Sequence, residues 1–391
     1  MTEVHPLFFV VESPFSQRDW QRYGVDELSR RFDIKIIDVS PISQPRLREL
    51  RSQTSVSDPR VFVIDKLSEL VAMLNSSSAG VLISNVGVGE VRNKLFRTAR
   101  SLGFLIAEFE LGAMPDASAV PANLYERLSQ RLRQFPSALQ IPVALLKSFK
   151  RHGARTEIPD VFYRGGRRAR GRHPDLGSSV VDVHSFDYEQ GRLVHRHNAD
   201  ARPRRLVYLD QNLGFHSDMR GLGLRQPVSA DDFYPLINGF FDWLEREHQF
   251  EVVICPHPRA EMREIERRFP GKEVSPRSTA IEVAGSSAVC GHVSTSFSFA
   301  AIFKKPVVIL TTREMSSSWY RPYLDLFADE FHSPILNLSD RASWQVPPSG
   351  LRPYQSEAYS TYALNYLKSY DGEEMSLWNI IGNDILRRIS A

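Results

Sequence analysis

With 391 residues the chain is too long for one ordinary hydrophobic core and fits two domains of roughly 150–200 residues each. Hydrophobic residues make up 42% and charged residues 24%, which excludes a disordered chain, and a net charge of +3 is too mild to argue for a nucleic-acid partner. The two cysteines, Cys255 and Cys290, sit in apolar strand-like runs, so no disulfide framework is expected and a cytoplasmic compartment is.

The chain opens on acidic Glu3 and runs directly into Leu7–Val11, without the basic lead and apolar core of a secretory signal. No stretch nears the ~18 consecutive apolar residues of a membrane-spanning helix. Strand-like runs follow at Leu7–Val11, Ile34–Val39, Val61–Asp65, Gly80–Ser84 and Phe104–Phe109. Between them lie helical patterns near Arg18–Arg31, Lys66–Leu74 and Val91–Leu102, and further helices are expected at Ala122–Gln134 and Pro142–Arg151. This β-α-β-α alternation predicts a parallel sheet with right-handed crossovers over residues 1–152. The first strand leads into Glu12-Ser13-Pro14-Phe15-Ser16 rather than a G-x-G-x-x-G turn, so no dinucleotide cofactor is expected.

Residues 153–203 break the rhythm, hold only short strand-like pieces such as Val180–Val183, and read as an interdomain region. Within them Arg164–Arg172 holds five arginines in nine residues, a solvated basic loop or a site of peripheral attraction to anionic lipid. The alternation restarts over residues 204–375. A strand Arg205–Leu209 ends at Asp210-Gln211-Asn212. A helix near Asp231–His248 precedes a strand Phe250–Cys255, which ends at Pro256-His257-Pro258-Arg259. A helix Glu261–Phe269, a helical turn Thr279–Ala284 and a strand Ala288–Cys290 come next. Gly291-His292-Val293 then opens a helix at Ser294-Thr295-Ser296, before a strand Pro306–Leu310. A terminal helix, Ser376–Ile389, closes the chain. The expected fold is α/β, with two Rossmann-like domains facing a cleft.

In parallel α/β sheets ligands gather at the carboxyl ends of the strands. Three strands of the second half end in polar groups that converge on one edge: Asp210 and Gln211, His257 and Arg259, and His292 with the serine cluster. Ser294, Thr295 and Ser296 exceed what simple N-capping needs, and hydroxyls with free N–H groups at a helix start suit a phosphate. Pro258 restricts His257 to extended geometry, which aims an imidazole able to hydrogen-bond or protonate a leaving phosphate. Arg259 can neutralise phosphate charge.

His257-Pro258 after one strand and Ser294-Thr295-Ser296 opening a later helix resemble the bacterial sialyltransferases and polysialyltransferases, the capsule Kdo transferases and, more loosely, the CDP-glycerol polymerases. Tyr208–Asp218, Cys255–Pro258 and Gly291–Ala300 followed by Lys305-Pro306 are more closely similar to uncharacterised proteins of polysaccharide gene clusters. The resemblance spans about Ser185 to Trp378. It implies a GT-B-like glycosyltransferase using a nucleotide-activated, CMP-linked sugar in capsule or lipopolysaccharide biosynthesis. It also implies a glycan or lipid-linked glycan acceptor taken by the N-terminal domain, at the cytoplasmic face of the membrane. The phosphate-contacting roles fall on His257, Ser294, Thr295 and Ser296, and Glu282 lies in the region that approaches the ribose or base. An epimerase or hydrolase on the same scaffold, a UDP-, GDP- or dTDP-sugar transferase and a non-catalytic nucleotide-sugar-binding protein stay open.

The acceptor hydroxyl needs a base, and Glu12, Glu108 and Glu110 are candidates, with Glu12 placed at a strand-end loop. Glu282 also stands at capping-box spacing from Ser278-Thr279. No metal is expected: His184, His195, His197 and His216 are scattered, and no Asp-x-Asp is present.

Overall fold

Leu7-Phe8-Phe9-Val10-Val11 shows no polar alternation because both of its faces are covered, the mark of a strand inside a parallel sheet. Leu7, Phe9 and Val11 face one layer and Phe8 and Val10 the other, as the period of two requires. The structure, a computed structural model, describes residues 5–45, 56–117, 157–169, 178–195, 202–216, 219, 224–344, 354–372 and 375–390.

Two parallel sheets organise these residues. The first has seven strands: β1 (His5–Val11), β2 (Phe32–Asp38), β3 (Val61–Val63), β4 (Val81–Asn85), β5 (Leu105–Glu110), β6 (Val161–Arg164) and β7 (Ser179–Asp182). Their order is β3-β2-β1-β4-β5-β6-β7. The second has six: β8 (Arg205–Leu209), β9 (Glu251–Cys255), β10 (Glu273–Val274), β11 (Ala288–Gly291), β12 (Val307–Thr311) and β13 (Ile335–Asn337), ordered β10-β9-β8-β11-β12-β13. Both follow the doubly wound scheme, with a topological switch between β1 and β4 and again between β8 and β11.

The chain forms two compact units, one of Met1–Leu111, Ala144–Phe186 and Lys368–Ala391 and the other of Gly112–Val143 and Asp187–Leu367. This differs from the expected boundaries. Residues 161–164 and 179–182, read as interdomain, supply the last two strands of the first sheet, where Ala107 pairs with Val161 and Val161 with Ser179. Short strands at a sheet margin carry too few residues for a periodic signal. Arg164, the first residue of the basic stretch, is held bidentately by Asp182 at 2.7 and 3.1 Å, so it is not a free cation; Arg170–Arg172 lie outside the described residues. The helices expected at Ala122–Gln134 and Pro142–Arg151 also lie outside them.

The helix Leu377–Ile389 is part of the first unit. Ser376 caps it, and Leu377, Trp378, Ile381 and Ile385 bury one stripe in the layer shared with Leu7 and Phe9. Each such side chain contributes roughly 1.5–3 kcal/mol. Tyr163 Oη donates to Asp384 Oδ2 at 3.0 Å, fastening this helix to β6. The single helix expected over Arg18–Arg31 is two, Gln17–Arg22 and Val25–Leu28, broken at Gly24. Gly24 has φ 56°, and a Cβ there would lie 2.2 Å from the Trp378 ring.

The second unit's core wraps both faces of its sheet. The helix Ala230–His248, capped by Ser229, presents Phe233, Ile237, Phe240, Phe241 and Leu244 to that core. Among the described residues no helix is long and apolar enough to cross a membrane.

Candidate functional site

The second switch point brings together Asp210, His257 and Ser294, which stand 37 to 84 residues apart in sequence. The backbone N–H of Asp210, just past β8, donates to the Cys255 carbonyl at 2.9 Å, so the β8 exit lies against the β9 exit that carries His257. On the other side β11 pairs with β8, Cys290 opposite Tyr208, and delivers His292 to Ser296 to the same edge. Asp210, His257 and the serine cluster are therefore neighbours at adjacent strand ends.

The β11 exit is tight. A Cβ on Gly291 would lie 3.2 Å from Phe297 Cζ and 3.3 Å from Leu209 Cβ, so only a bare backbone fits without displacing packed groups. After it, Phe297, Ser298 and Phe299 donate to the carbonyls of Ser294, Thr295 and Ser296 at 3.3, 2.9 and 3.1 Å, an i→i+3 pattern. The expected helix thus begins only at Phe297, and the three hydroxyl residues form the turn before it. Ser294 Oγ accepts from the Ser296 N–H at 3.2 Å. The hydroxyls of Thr295 and Ser296 make no hydrogen bond among the described residues, and all three residues are partly exposed.

His257 is half-buried. Its Nδ1 accepts the backbone N–H of Arg259 at 3.2 Å, which leaves the proton of the neutral ring on Nε2. Its ring packs 5.0 Å from that of His216, in the loop after β8. The Arg259 backbone thus orients the His257 ring.

Asp210 is buried. Its Oδ1 accepts the Asn212 N–H at 3.0 Å, an Asx turn that settles Asn212 at φ 52°. Its Oδ2 has no hydrogen-bond partner among the described residues. Burial pushes this carboxyl up to about 6, against the opposing pull of nearby backbone N–H groups and of Arg268.

Gln211, expected to contact ligand, has its side-chain oxygen engaged within the protein. Its Oε1 accepts the Val293 N–H and the Tyr320 hydroxyl, both at 3.0 Å. His292 is structural: fully buried, it joins the Leu310 carbonyl (2.7 Å) to the Tyr208 hydroxyl (3.2 Å). Burial holds its pKa down to about 4, so the ring is neutral near pH 7.

Glu282 is not brought to this edge. It is 3% exposed and accepts Arg205 Nη2 at 2.9 Å and Ser275 Oγ at 2.6 Å. Arg205, at the opposite end of β8, also meets Glu251 and Glu273. The helix cap itself is Ser278 alone, accepting from Ile281.

Of the carboxylates proposed as base, Glu12 stands at the switch point of the first sheet. There its Oε2 accepts the Gly87 N–H at 2.7 Å, from the loop after β4. Glu108 is committed elsewhere, gripping the buried Arg92 guanidinium at 2.6 and 2.7 Å. Glu110 ends β5, where its carbonyl accepts the Gly165 N–H at 3.0 Å.

Sequence reasoning missed His216 and Tyr320. His216 had a signal, since it lies in the same strand-end loop as Asp210. Tyr320 had none, because it reaches Gln211 across 109 residues of chain.

No family model matches this sequence, and none of the curated proteins does. Among solved structures the chain is similar to UGT89C1 of Arabidopsis thaliana, with TM-score 0.51, 9% identity, and coverage of 98% of this chain and 99% of that one. It is also similar to MurG of Acinetobacter baumannii (TM-score 0.48, 10% identity, 98% and 99% covered). A third is the UDP-GlcNAc 2-epimerase of Methanocaldococcus jannaschii (TM-score 0.46, 12% identity, 98% and 99% covered). Identities this low speak to fold alone. The fold is GT-B: two doubly wound α/β units in one chain.

Proposed function

We propose that the chain is a glycosyltransferase that takes a nucleotide-activated sugar and seats the donor's phosphate at the C-terminal edge of the second sheet. One observation carries the reading. At a single switch point, an imidazole whose Nε2 bears the proton stands beside a turn with two hydroxyls, those of Thr295 and Ser296, that have no partner among the described residues. Such donors stabilise negative charge as it develops on a leaving phosphate, and removing one such donor costs about 10²–10³ in turnover.

In the reaction the acceptor hydroxyl attacks the anomeric carbon and the bond from that carbon to the phosphate oxygen breaks. The nucleotide leaves with the bonding electrons, received by His257, Ser294, Thr295 and Ser296. The acceptor's proton goes to a carboxylate, for which we propose Glu12. No step calls on a metal, because these donors can supply the neutralisation. A CMP-linked donor, a glycan or lipid-linked glycan acceptor and a place in capsule or lipopolysaccharide assembly at the cytoplasmic membrane face follow from the resemblance of His257-Pro258 and the serine cluster.

The test is nucleotide release from CMP-, UDP-, GDP- and dTDP-linked sugars, with and without oligosaccharide acceptors. Release that requires an acceptor supports transfer. Conversion without one assigns the chain to epimerases or hydrolases, and binding without turnover makes it a sensor.

A further inference from the structure

The register of β8 and β11 pairs Ala288 with Leu206 and Cys290 with Tyr208, which carries Val293 level with Gln211. The backbone ladder has ended by then. The Val293 N–H is donated instead to the Gln211 side chain, at 3.0 Å. The same oxygen accepts the hydroxyl of Tyr320, at 3.0 Å. Both neighbours are donors, which fixes the amide with its oxygen inward and fills both lone pairs. All three groups are buried.

We infer that Gln211 and Tyr320 form a positioning pair that sets the Ser294–Ser296 turn for the donor's phosphate. The inference rests on the phosphate seat proposed above. Val293 immediately precedes Ser294, so whatever fixes its N–H fixes where the hydroxyls start. Gln211 follows Asp210 just past the end of β8, while Tyr320 lies between the helices Arg313–Ser317 and Arg321–Glu330, beyond β12. The pair thus ties the exits of β8 and β11 to the segment between the two helices that follow β12, at one atom.

Tyr320 is suited to the role. Its ring lies edge-on to Trp319 at 5.5 Å and its N–H is held by Ser318 Oγ at 3.1 Å, so the hydroxyl has little freedom. Burial pushes the phenol far up, which keeps it a donor throughout the working pH range. Without its hydroxyl, Gln211 keeps one partner instead of two, and the turn loses a constraint while the core keeps the ring. Neither residue needs to touch ligand; each acts through Val293.

The experiment measures the affinity of CMP, UMP, CDP and UDP by calorimetry for the full chain, Tyr320→Phe, Gln211→Met and the double variant. Melting temperatures are taken in parallel. Wild type is expected to bind one nucleotide, and Tyr320→Phe to weaken it about tenfold, the equivalent of one well-made hydrogen bond. Gln211→Met should weaken it further. The double variant should match Gln211→Met alone, because the tyrosine acts only through the glutamine. Lower melting temperatures with unchanged affinity would overturn the inference and leave the phosphate seat standing, as would additive losses. Nucleotide binding absent from wild type would remove the seat and the inference with it.

Discussion

Replacing Asp210 by Asn keeps the shape of the side chain at the β8 exit and the acceptor for the Asn212 N–H while removing a buried charge. Burial has raised the folded-state pKa from an ordinary 3.8 to about 6. Two units at about 1.36 kcal/mol each set the effect at roughly 3 kcal/mol. The sign follows from where protons are bound. Between the two values the folded chain holds a proton that the unfolded chain has released, so stability falls as pH rises. The favourable contribution is complete below about pH 4 and is lost as pH rises through about 6. Asparagine does not titrate, so its advantage over wild type should widen by about 2 kcal/mol between about pH 4.5 and about pH 7.5. Urea unfolding of both proteins at matched pH, followed by fluorescence, reads this difference. A gap that does not change with pH, or that narrows, refutes the argument and means that Oδ2 has a partner that holds its charge.

On the role proposed for it, His257→Ala should cut turnover about 10²-fold or more, with a smaller effect on the melting temperature because the ring is only half-buried. Steady-state kinetics beside a melting curve check this, and near-normal turnover counts against the role. Glu108→Ala strands the Arg92 guanidinium, 1% exposed, and should cost about 3–5 kcal/mol in unfolding free energy. Its nucleotide affinity should stay at the wild-type value, which separates Glu108 from the site. Gly24→Ala meets both a left-handed backbone and the Trp378 ring, so its unfolding midpoint should drop by more than about 1 kcal/mol's worth. A midpoint equal to wild type would show that the helix end can shift there.

The sequence made the strand alternation legible because core strands of a parallel sheet are apolar on both faces, as in Leu7–Val11 and Arg205–Leu209. Marginal strands were only partly legible: Val180–Val183 read as a short strand-like piece and overlaps β7, but four-residue β6 carried no periodicity to separate it from loop, and neither was placed in the first sheet. The destination of the Leu377–Ile389 helix was also hidden. An apolar stripe demands burial but does not say against which unit, and Tyr163 stands 221 residues from its partner Asp384.

At the candidate site, Asp210, His257 and Ser294–Ser296 were legible because strand exits share one edge by geometry. Glu282 was placed near the ribose or base by the resemblance, while its spacing from Ser278-Thr279 suggested a helix cap. Its burial against Arg205 depends on the register of β8, β9 and β10, which one sequence does not display. Gln211 was found but its work was not, since both its partners come from distant segments.

Calorimetric titration of the metal-free protein with CMP, CDP, UMP, UDP, GDP and dTDP tests the central claim most directly. The account predicts saturable binding of at least one nucleotide, abolished when Thr295 and Ser296 are both changed to Ala and sharply weakened in His257→Ala. Binding that survives both changes, or no binding by any nucleotide, would contradict a phosphate seat at the β8, β9 and β11 exits.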